Sequence, residues 1–203
     1  CAVALGGCAI VINPNDGEVR YSGDSGSNVV QGNQQVSRDV RQVGKLSALD
    51  IDNMKRLDIK IDVRVGPAPS LVVEADSNLQ PLIHSEVNGD TLRLWSDTSI
   101  RSSNGIHIIY TTPHLNKINV SGTGRLVVSG LNGDDFSLVQ RGSMKSELSG
   151  KVARFDAANH GSGSINAAAL GSGNTDAVRN GSGRIQLGNV GGERVNVAVN
   201  GSG

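Results

Sequence analysis

The sequence predicts an all-β fold, a single-stranded β-solenoid (β-helix) with about 20 residues per coil, preceded by a strand-rich subdomain with one short helix. Two observations predict it. Glycines recur at a nearly fixed interval through residues 113–203, and short runs of alternating apolar and polar residues lie between them. Aromatic residues make up only 2% of the 203 residues, so the core must consist of aliphatic side chains between closely spaced backbones.

Residues 1–8 have the pattern of a signal peptide tail that ends in a lipobox. In "AVALGGCAI" the small residues before Cys8 would let a signal peptidase reach the backbone, and the Cys8 thiol would carry the lipid. Ala9 favours sorting to the outer membrane. We therefore predict an outer membrane lipoprotein, periplasmic or surface-exposed, that contacts the membrane through its lipid anchor only. The alternative is an apolar start with two inert thiols, Cys1 and Cys8.

Residues 9–36 are rich in Asn, Gly, Ser, Asp and Gln and lack apolar periodicity, so they are predicted to form a flexible tether. Residues 37–112 are predicted to form the strand-rich subdomain. Apolar and charged residues alternate from Leu57 to Val65, which is typical of a half-buried strand. Ser77 is placed to cap a short helix over residues 78–87, whose apolar residues fall on one face.

The repeats of residues 113–203 have two glycine corners per 20-residue period, which predicts two short strands per coil. Residues at even offsets from each corner are predicted to point into the core and those at odd offsets to point outward. Ser146 and Thr175 are polar exceptions at inward positions. One corner series is Gly122, Gly142, Gly161, Gly181 and Gly201, and the other is Gly130, Gly150, Gly171 and Gly191.

The run "DTLRLW", the run "INVSGTGRL" and the spaced "SGxG" and "GSG" units resemble the GIN domain over about residues 38–203. This family comprises head domains of autotransporter adhesins in bacterial envelope proteins and has no established function. The resemblance implies a single-stranded β-solenoid after a strand-rich part, together with a secretion or lipoprotein signal. It carries no catalytic residues. The chain stops in mid-repeat at Gly203, and an open solenoid edge would allow self-association.

An outward strip of cations beside amides is the predicted ligand face. Arg125, Lys145 and Arg184 occupy one outward position of successive coils, and Asn166 and Gln186 occupy the next outward position. Neighbours in such a column lie about 4.8 Å apart, so the strip would fit carboxylate, sulfate or phosphate groups on a polymer. The alternative is a solvated face that keeps the protein soluble.

Three further features have weaker functional interpretations. Trp95 falls on the opposite strand face from its apolar neighbours, where it could stack on a sugar ring or seal the contact between subdomains. Asp156 and Asp176 share one outward column and could bind Ca²⁺ or act as an acid–base pair, unless arginines such as Arg154 neutralise them. Asn180 and Asn200 are predicted to form an amide ladder at a corner.

Formal net charge is zero, which argues against a nucleic-acid binder, and no cofactor, metal or catalytic motif occurs. We predict a non-enzymatic envelope lipoprotein whose adhesin-like solenoid binds a glycan or an envelope protein. One alternative is a β-helix polysaccharide lyase or hydrolase with the basic strip as part of its site. The other is a structural module that assembles through the solenoid edge.

Overall fold

The computed structural model describes residues 9–12, 19–22 and 29–201, and its regular structure is almost entirely strand. The all-β prediction is therefore confirmed. The strands are β1 (Ala9–Ile12), β2 (Val19–Ser22), β3 (Val29–Gln31), β4 (Val36–Arg41), β5 (Ala48–Val65), β6 (Ser70–Asp76), β7 (His84–Asn88), β8 (Thr91–Trp95), β9 (Ser99–Arg101), β10 (Ile106–Thr112), β11 (Lys117–Gly161), β12 (Ser164–Asn180), β13 (Arg184–Gln186) and β14 (Val195–Asn200).

Most strands belong to one mixed sheet in the order β13-β12-β11-β5-β10-β6-β4. β14 pairs with β12, and the β7–β8 hairpin joins the sheet where β8 pairs with β5. The pairs β4–β6 and β6–β10 are antiparallel, whereas the pairs from β10 through β5, β11 and β12 to β13 and β14 are parallel. We call residues 29–112 the N-terminal half and residues 117–200 the C-terminal half.

Parallel partners in the C-terminal half lie 20 residues apart at the ends of β12 and β14. Asn180 contacts His160, and Asn200 contacts Asn180, each across 20 residues of sequence. The same offset relates Asp176 to Asn196. The spacing of the glycine corners is therefore also the spacing of hydrogen-bonded strand partners.

The inward side chains of both halves form one buried cluster. The predicted inward column that runs through Leu138, Ala157 and Ala177 is buried. Phe136 and Phe155 stack in the neighbouring column, with ring centroids 6.1 Å apart and planes inclined by 10°. The two-residue alternation in the sequence thus locates this part of the core correctly.

The two polar exceptions are both satisfied inside the core. Ser146 Oγ donates to Gln140 Oε1 at 2.5 Å, and Gln140 Nε2 donates to the carbonyl of Met144 at 2.9 Å. The hydroxyls of Thr175 and Ser172 lie 2.8 Å apart. These contacts remove the penalty of burying an unpaired polar group, so the exceptions do not interrupt the sheet.

Two of the three Gly-Ser-Gly triplets lie where one strand ends and the next begins, as predicted for corners. Ser162 and Gly163 connect β11 to β12, and residues 181–183 connect β12 to β13. The third triplet, residues 201–203, lies largely outside the described residues. The need for glycine at such positions is clearest at Gly142, where φ is 88° and an added Cβ would collide with the carbonyl of Gly122. Only glycine combines this backbone conformation with such a close approach between strands.

The helix predicted over residues 78–87 is wrong. Gln80–Leu82 forms a single 3₁₀ turn, and His84–Asn88 is strand β7. Leu79 and Ile83 are buried, so the turn docks through its two flanks, and the following residues gain a full antiparallel ladder with β8. The apolar spacing fits a helical face, but pairing with β8 satisfies the backbone of this segment instead.

The predicted tether of residues 9–36 contains three strands. β1 and β2 form an antiparallel pair, and β3 pairs in parallel with β9. Val30 packs against the core, and Asn33 Nδ2 donates to Ser77 Oγ at 2.8 Å. Every residue other than proline carries a backbone donor and acceptor, so residues 29–31 can pair with β9 although the surrounding sequence is polar.

Candidate functional site

One row of outward-facing residues crosses the sheet from its N-terminal to its C-terminal edge. Each strand places one residue opposite an outward residue of its neighbour, and adjacent strands lie about 4.8 Å apart. The Arg125–Glu147 hydrogen bonds join the two passes of β11 that carry Arg125 and Lys145. We call this set the charged row, and its members are Arg38, Glu74, His107, Lys60, Arg125, Lys145, Ser164 and Arg184.

The three predicted cations of the ligand face lie in this row and are exposed. Lys145 pairs in register with Ser164, which pairs with Arg184, so a serine separates the last two cations. Within the described residues, no carboxylate lies within ion-pair distance of Lys145 or Arg184. These two side chains therefore keep their full capacity to bind an anion.

Arg125 differs from the other two cations because it already has a partner. Its Nη2 donates to both carboxylate oxygens of Glu147, at 2.7 and 2.8 Å. The hydrogen bond to Glu147 and the charge of its carboxylate raise the pKa of Arg125. Glu147 pairs in register with Asn166, which pairs with Gln186, so the predicted amides lie in the row next to the cations. Both amide side chains are exposed.

A groove of about 530 Å³ adjoins the charged row where β5, β10 and β11 meet. Its polar lining is Lys60, Glu74, Asn104, His107 and Arg125, and its apolar lining is Val36, Ile59 and Ile106. The groove brings the predicted cation Arg125 together with residues that the sequence did not indicate. The alternating charges of "DIKIDVRV" show that Lys60 points outward, but they do not show that His107 and Arg125 lie on either side of it.

His107, which lines the groove, has its imidazole ring between two carboxylates. Its Nδ1 lies 3.1 Å from Glu74 Oε2, and its Nε2 lies 2.8 Å from Asp62 Oδ2. Lys60 Nζ also lies 3.1 Å from Asp62 Oδ2. Each ring nitrogen of His107 therefore has a carboxylate oxygen within hydrogen-bond distance.

Asp62 is a partly buried carboxylate held in its ionised form. Burial disfavours the charge, but the hydrogen bonds from His107 and Lys60 and their positive charges outweigh burial and lower the pKa of Asp62 below 3.8. The N-terminal end of the charged row therefore balances its own charges. This contrasts with Lys145 and Arg184 at the other end.

Trp95 is half-buried on β8, on the opposite face from Leu92 and Leu94 as predicted. Its Nε1 donates to Asp97 Oδ1 at 3.1 Å, and its ring lies 5.3 Å from the His84 ring. The guanidinium carbon of Arg93 lies 5.1 Å from the Trp95 ring centroid. Trp95 does not line the groove beside the charged row. Sugar stacking at this residue remains a prediction.

Arg154 forms ion pairs with both stacked aspartates of the C-terminal half. Its guanidinium reaches Asp156 Oδ1 at 3.2 Å and Asp176 Oδ2 at 2.8 Å, and Asn196 Nδ2 donates to Asp176 Oδ1 at 2.6 Å. Among the described residues, no group of three His, Cys, Asp or Glu side chains is placed to hold a metal ion. A Ca²⁺-binding or acid–base role for the two aspartates stays a prediction.

The predicted amide ladder at the corner is confirmed. Asn200 Nδ2 donates to Asn180 Oδ1 at 2.9 Å, and Asn180 Nδ2 lies 3.0 Å from His160 Nδ1. His160 is thereby engaged by the ladder. Cys8, the predicted lipidation site, lies outside the described residues. Within the part of the chain that the structure describes, no helix has the length and hydrophobicity to cross a bilayer.

Several solved structures share this fold, although no curated protein matches the chain. A "putative adhesin" from Bacteroides fragilis NCTC 9343 has a TM-score of 0.59 and 19% identity, over 86% of this chain and 97% of that one. A "putative adhesin" from Parabacteroides distasonis ATCC 8503 has a TM-score of 0.57 and 18% identity, over 85% and 78% of the two chains. A third, from Parabacteroides merdae ATCC 43184, has a TM-score of 0.52 and 14% identity, over 85% and 97%. At these identities the likeness concerns the fold alone.

The family described as "Putative auto-transporter adhesin, head GIN domain" matches residues 55–203. The matched range contains the end of β5, the groove residues of β5, β6, β10 and β11, and the whole C-terminal half with its glycine corners. The range covers well over half of the 203 residues. The chain therefore belongs to this GIN domain family.

Proposed function

We propose that this chain is a non-enzymatic, adhesin-like protein of the bacterial cell envelope that binds an anionic glycan along the charged row. The observation that carries the proposal is that Lys145 and Arg184 are exposed on a parallel ladder and have no ion-pair partner among the described residues. Carboxylate or sulfate groups of a polymer would accept hydrogen bonds from these side chains. The amides of Asn166 and Gln186 would bind its hydroxyl groups.

The proposal takes the C-terminal half to be a single-stranded β-solenoid with coils of about 20 residues. The parallel registers support it, because Ser164 pairs with Arg184 and Thr175 pairs with Val195 in the same offset. The corners support it as well, because a Cβ at Gly181 would collide or crowd against Gly161 in the coil before it. A solenoid repeats one outward position at each coil, which gives a linear ligand a periodic surface.

The proposal places the protein at the outer membrane as a lipoprotein anchored through Cys8. The family description and the lipobox-like start support this location. The test is incorporation of a labelled lipid precursor in a bacterial host, with the signal sequence present. Label should enter the wild-type protein and Cys1→Ser but not Cys8→Ser. Absence of label from both the wild type and Cys1→Ser, or entry of label into Cys8→Ser, would show that lipidation at Cys8 is wrong.

The binding experiment screens the full chain against acidic and neutral polysaccharides immobilised on a biosensor. The row variant carries Arg125→Ala, Lys145→Ala and Arg184→Ala. A matched control variant removes three other exposed cations, through Lys117→Ala, Arg141→Ala and Lys151→Ala, so both variants lose the same charge. The wild type and the control should bind acidic polymers, and the row variant should not.

Two outcomes would contradict this binding site. Equal losses in the row variant and the control would show a nonspecific effect of net charge. Binding that survives in the row variant would place the ligand elsewhere. The non-enzymatic part has its own test, in which uronate polymers are incubated with the protein and absorbance of unsaturated products is followed. Formation of such products would instead favour a lyase.

A further inference from the structure

Strand β14 (Val195–Asn200) is an open edge of the sheet. It pairs with β12 on one side, and no other strand among the described residues pairs with it. All six of its residues are exposed. The exposed fractions are 51% for Val195, 61% for Val197 and 55% for Val199, which are large values for apolar side chains at inward positions.

These valines continue the buried columns of the core. Val195 pairs in register with Thr175, and Val197 pairs with Ala177, and both β12 residues are buried. The face that β12 turns toward the core is therefore the same face on which β14 leaves its valines uncovered. An additional strand beside β14 would extend the core over them.

The free backbone groups of β14 belong to the same three residues. The carbonyls of Arg194 and Asn200 accept hydrogen bonds from Thr175 and Gly181 of the β12 segment, at 3.0 and 2.9 Å. Backbone N–H and C=O groups alternate in direction along a strand. Those of the even-numbered residues of β14 point toward β12, so those of the odd-numbered residues point toward the open edge. Val195, Val197 and Val199 thus offer apolar side chains and unpaired hydrogen-bonding groups together.

The opposite edge of the sheet, strand β4, differs in composition. Three of its six residues are charged, Arg38, Asp39 and Arg41, whereas β14 has no charged residue. Charged side chains on an edge strand oppose pairing with another sheet because the pairing would bury or crowd them. Of these two edge strands, β4 is protected by charge and β14 is open to pairing.

We propose that β14 pairs with β14 of a second copy, antiparallel, about a two-fold axis at Val197. The three valines are spaced symmetrically about Val197, so this register places Val195 of each copy opposite Val199 of the other. The residues that face each other are those with outward-pointing N–H and C=O groups, so each pair can exchange two hydrogen bonds. The same two-fold relation keeps every valine on the core side, and the two cores become continuous.

Analytical ultracentrifugation of the full chain tests the dimer, with Cys1 and Cys8 replaced by serine to prevent disulfide cross-linking. The test variant is Val197→Lys, and the control is Val40→Lys, which alters a 59% exposed valine on β4. The wild type and the control should reach twice the monomer mass with increasing concentration. Val197→Lys should stay monomeric while retaining the wild-type circular dichroism spectrum.

Three results would overturn the proposal. A wild type that stays monomeric at all concentrations would show that β14 does not pair with a second copy. Growth beyond the dimer, or loss of association in Val40→Lys, would indicate pairing between β14 and β4 instead. A cross-link tests the register independently, because the Cα atoms of two Val197→Cys copies would lie about 5.5 Å apart. Failure of this variant to form a disulfide under oxidation, with no difference from Val40→Cys, would also contradict the proposal.

Discussion

The two halves of the molecule differ in how completely they satisfy their own chemical groups. In the N-terminal half, Ile61 is fully buried, His107 and Lys60 both form ion pairs with Asp62, and edge strand β4 is charged. In the C-terminal half, polar side chains such as Gln140 and Ser146 are buried in the core, Lys145 has no ion pair among the described residues, and the side chains of β14 are uncovered. We therefore propose that the N-terminal half serves as a platform and that the C-terminal half presents the groups used for binding.

The largest expected effect concerns the difference in core packing. Ile61→Ala should lower the free energy of unfolding by roughly 2–5 kcal/mol, because it removes a completely buried side chain and leaves a cavity. Val197→Ala, on the uncovered strand, should cost far less in the monomer, under about 1 kcal/mol. Urea denaturation at low protein concentration measures both. Similar losses for the two variants would show that β14 is as well packed as the central sheet.

The polar network in the C-terminal core should be the next most sensitive feature. Gln140→Leu removes the acceptor of the Ser146 hydroxyl and a donor to the Met144 carbonyl, so we expect a loss of roughly 1–3 kcal/mol. The double variant Gln140→Leu, Ser146→Ala removes the unpaired hydroxyl as well and should recover part of the loss. Urea denaturation of the three proteins gives the comparison. No recovery in the double variant would mean that volume, rather than hydrogen bonding, determines the effect.

The charge cluster of the N-terminal half should make stability depend on pH. The pKa of Asp62 is lowered below 3.8, so its ionised form stabilises the fold above that value, and the contribution is lost as pH falls through the lowered pKa. The free energy of unfolding of the wild type should exceed that of Asp62→Asn by about 1 kcal/mol at neutral pH. Urea denaturation between about pH 7 and about pH 2.5 should show this advantage shrinking only below about pH 4. An advantage that does not vary with pH would exclude an electrostatic origin.

The smallest expected effect concerns the one paired cation of the predicted ligand face, Arg125 of the C-terminal half. Glu147→Gln removes the carboxylate that holds Arg125, so affinity for an acidic polysaccharide should rise by roughly two- to fivefold. Glu86→Gln is the control, because it removes an exposed carboxylate on β7, outside the charged row. Biosensor titration measures the ratio of dissociation constants. An equal rise in both variants would reflect net charge instead of release of Arg125.

The sequence predicts the C-terminal half better than the N-terminal half, for a physical reason. A repeat brings residues 20 positions apart into contact, so the glycine corners and the ladder of Asn180 and Asn200 can be read from spacing alone. The N-terminal half depends on pairings without a period. His107 lies beside Lys60 and Glu74 only because β10 pairs with both β5 and β6.

Local patterns also have limits within each half. The apolar spacing at Leu79 and Ile83 fits a helix, yet these side chains flank a 3₁₀ turn whose continuation pairs with β8. The charge of Arg125 was evident in the sequence, but its engagement by Glu147 depends on side-chain geometry. Sequence therefore identified exposed cations of the C-terminal half without distinguishing the paired one from the free ones.

The most direct test compares single substitutions along the charged row. Lys145→Ala, Arg184→Ala and Arg125→Ala are titrated separately against the acidic polysaccharide that binds the wild type best. Lys145 and Arg184 have no ion-pair partner among the described residues, whereas Glu147 already balances the charge of Arg125. We therefore expect Lys145→Ala and Arg184→Ala to lose more affinity than Arg125→Ala. Loss confined to Arg125→Ala, or no loss in any of the three, would contradict the assignment of binding to the unpaired groups of the C-terminal half.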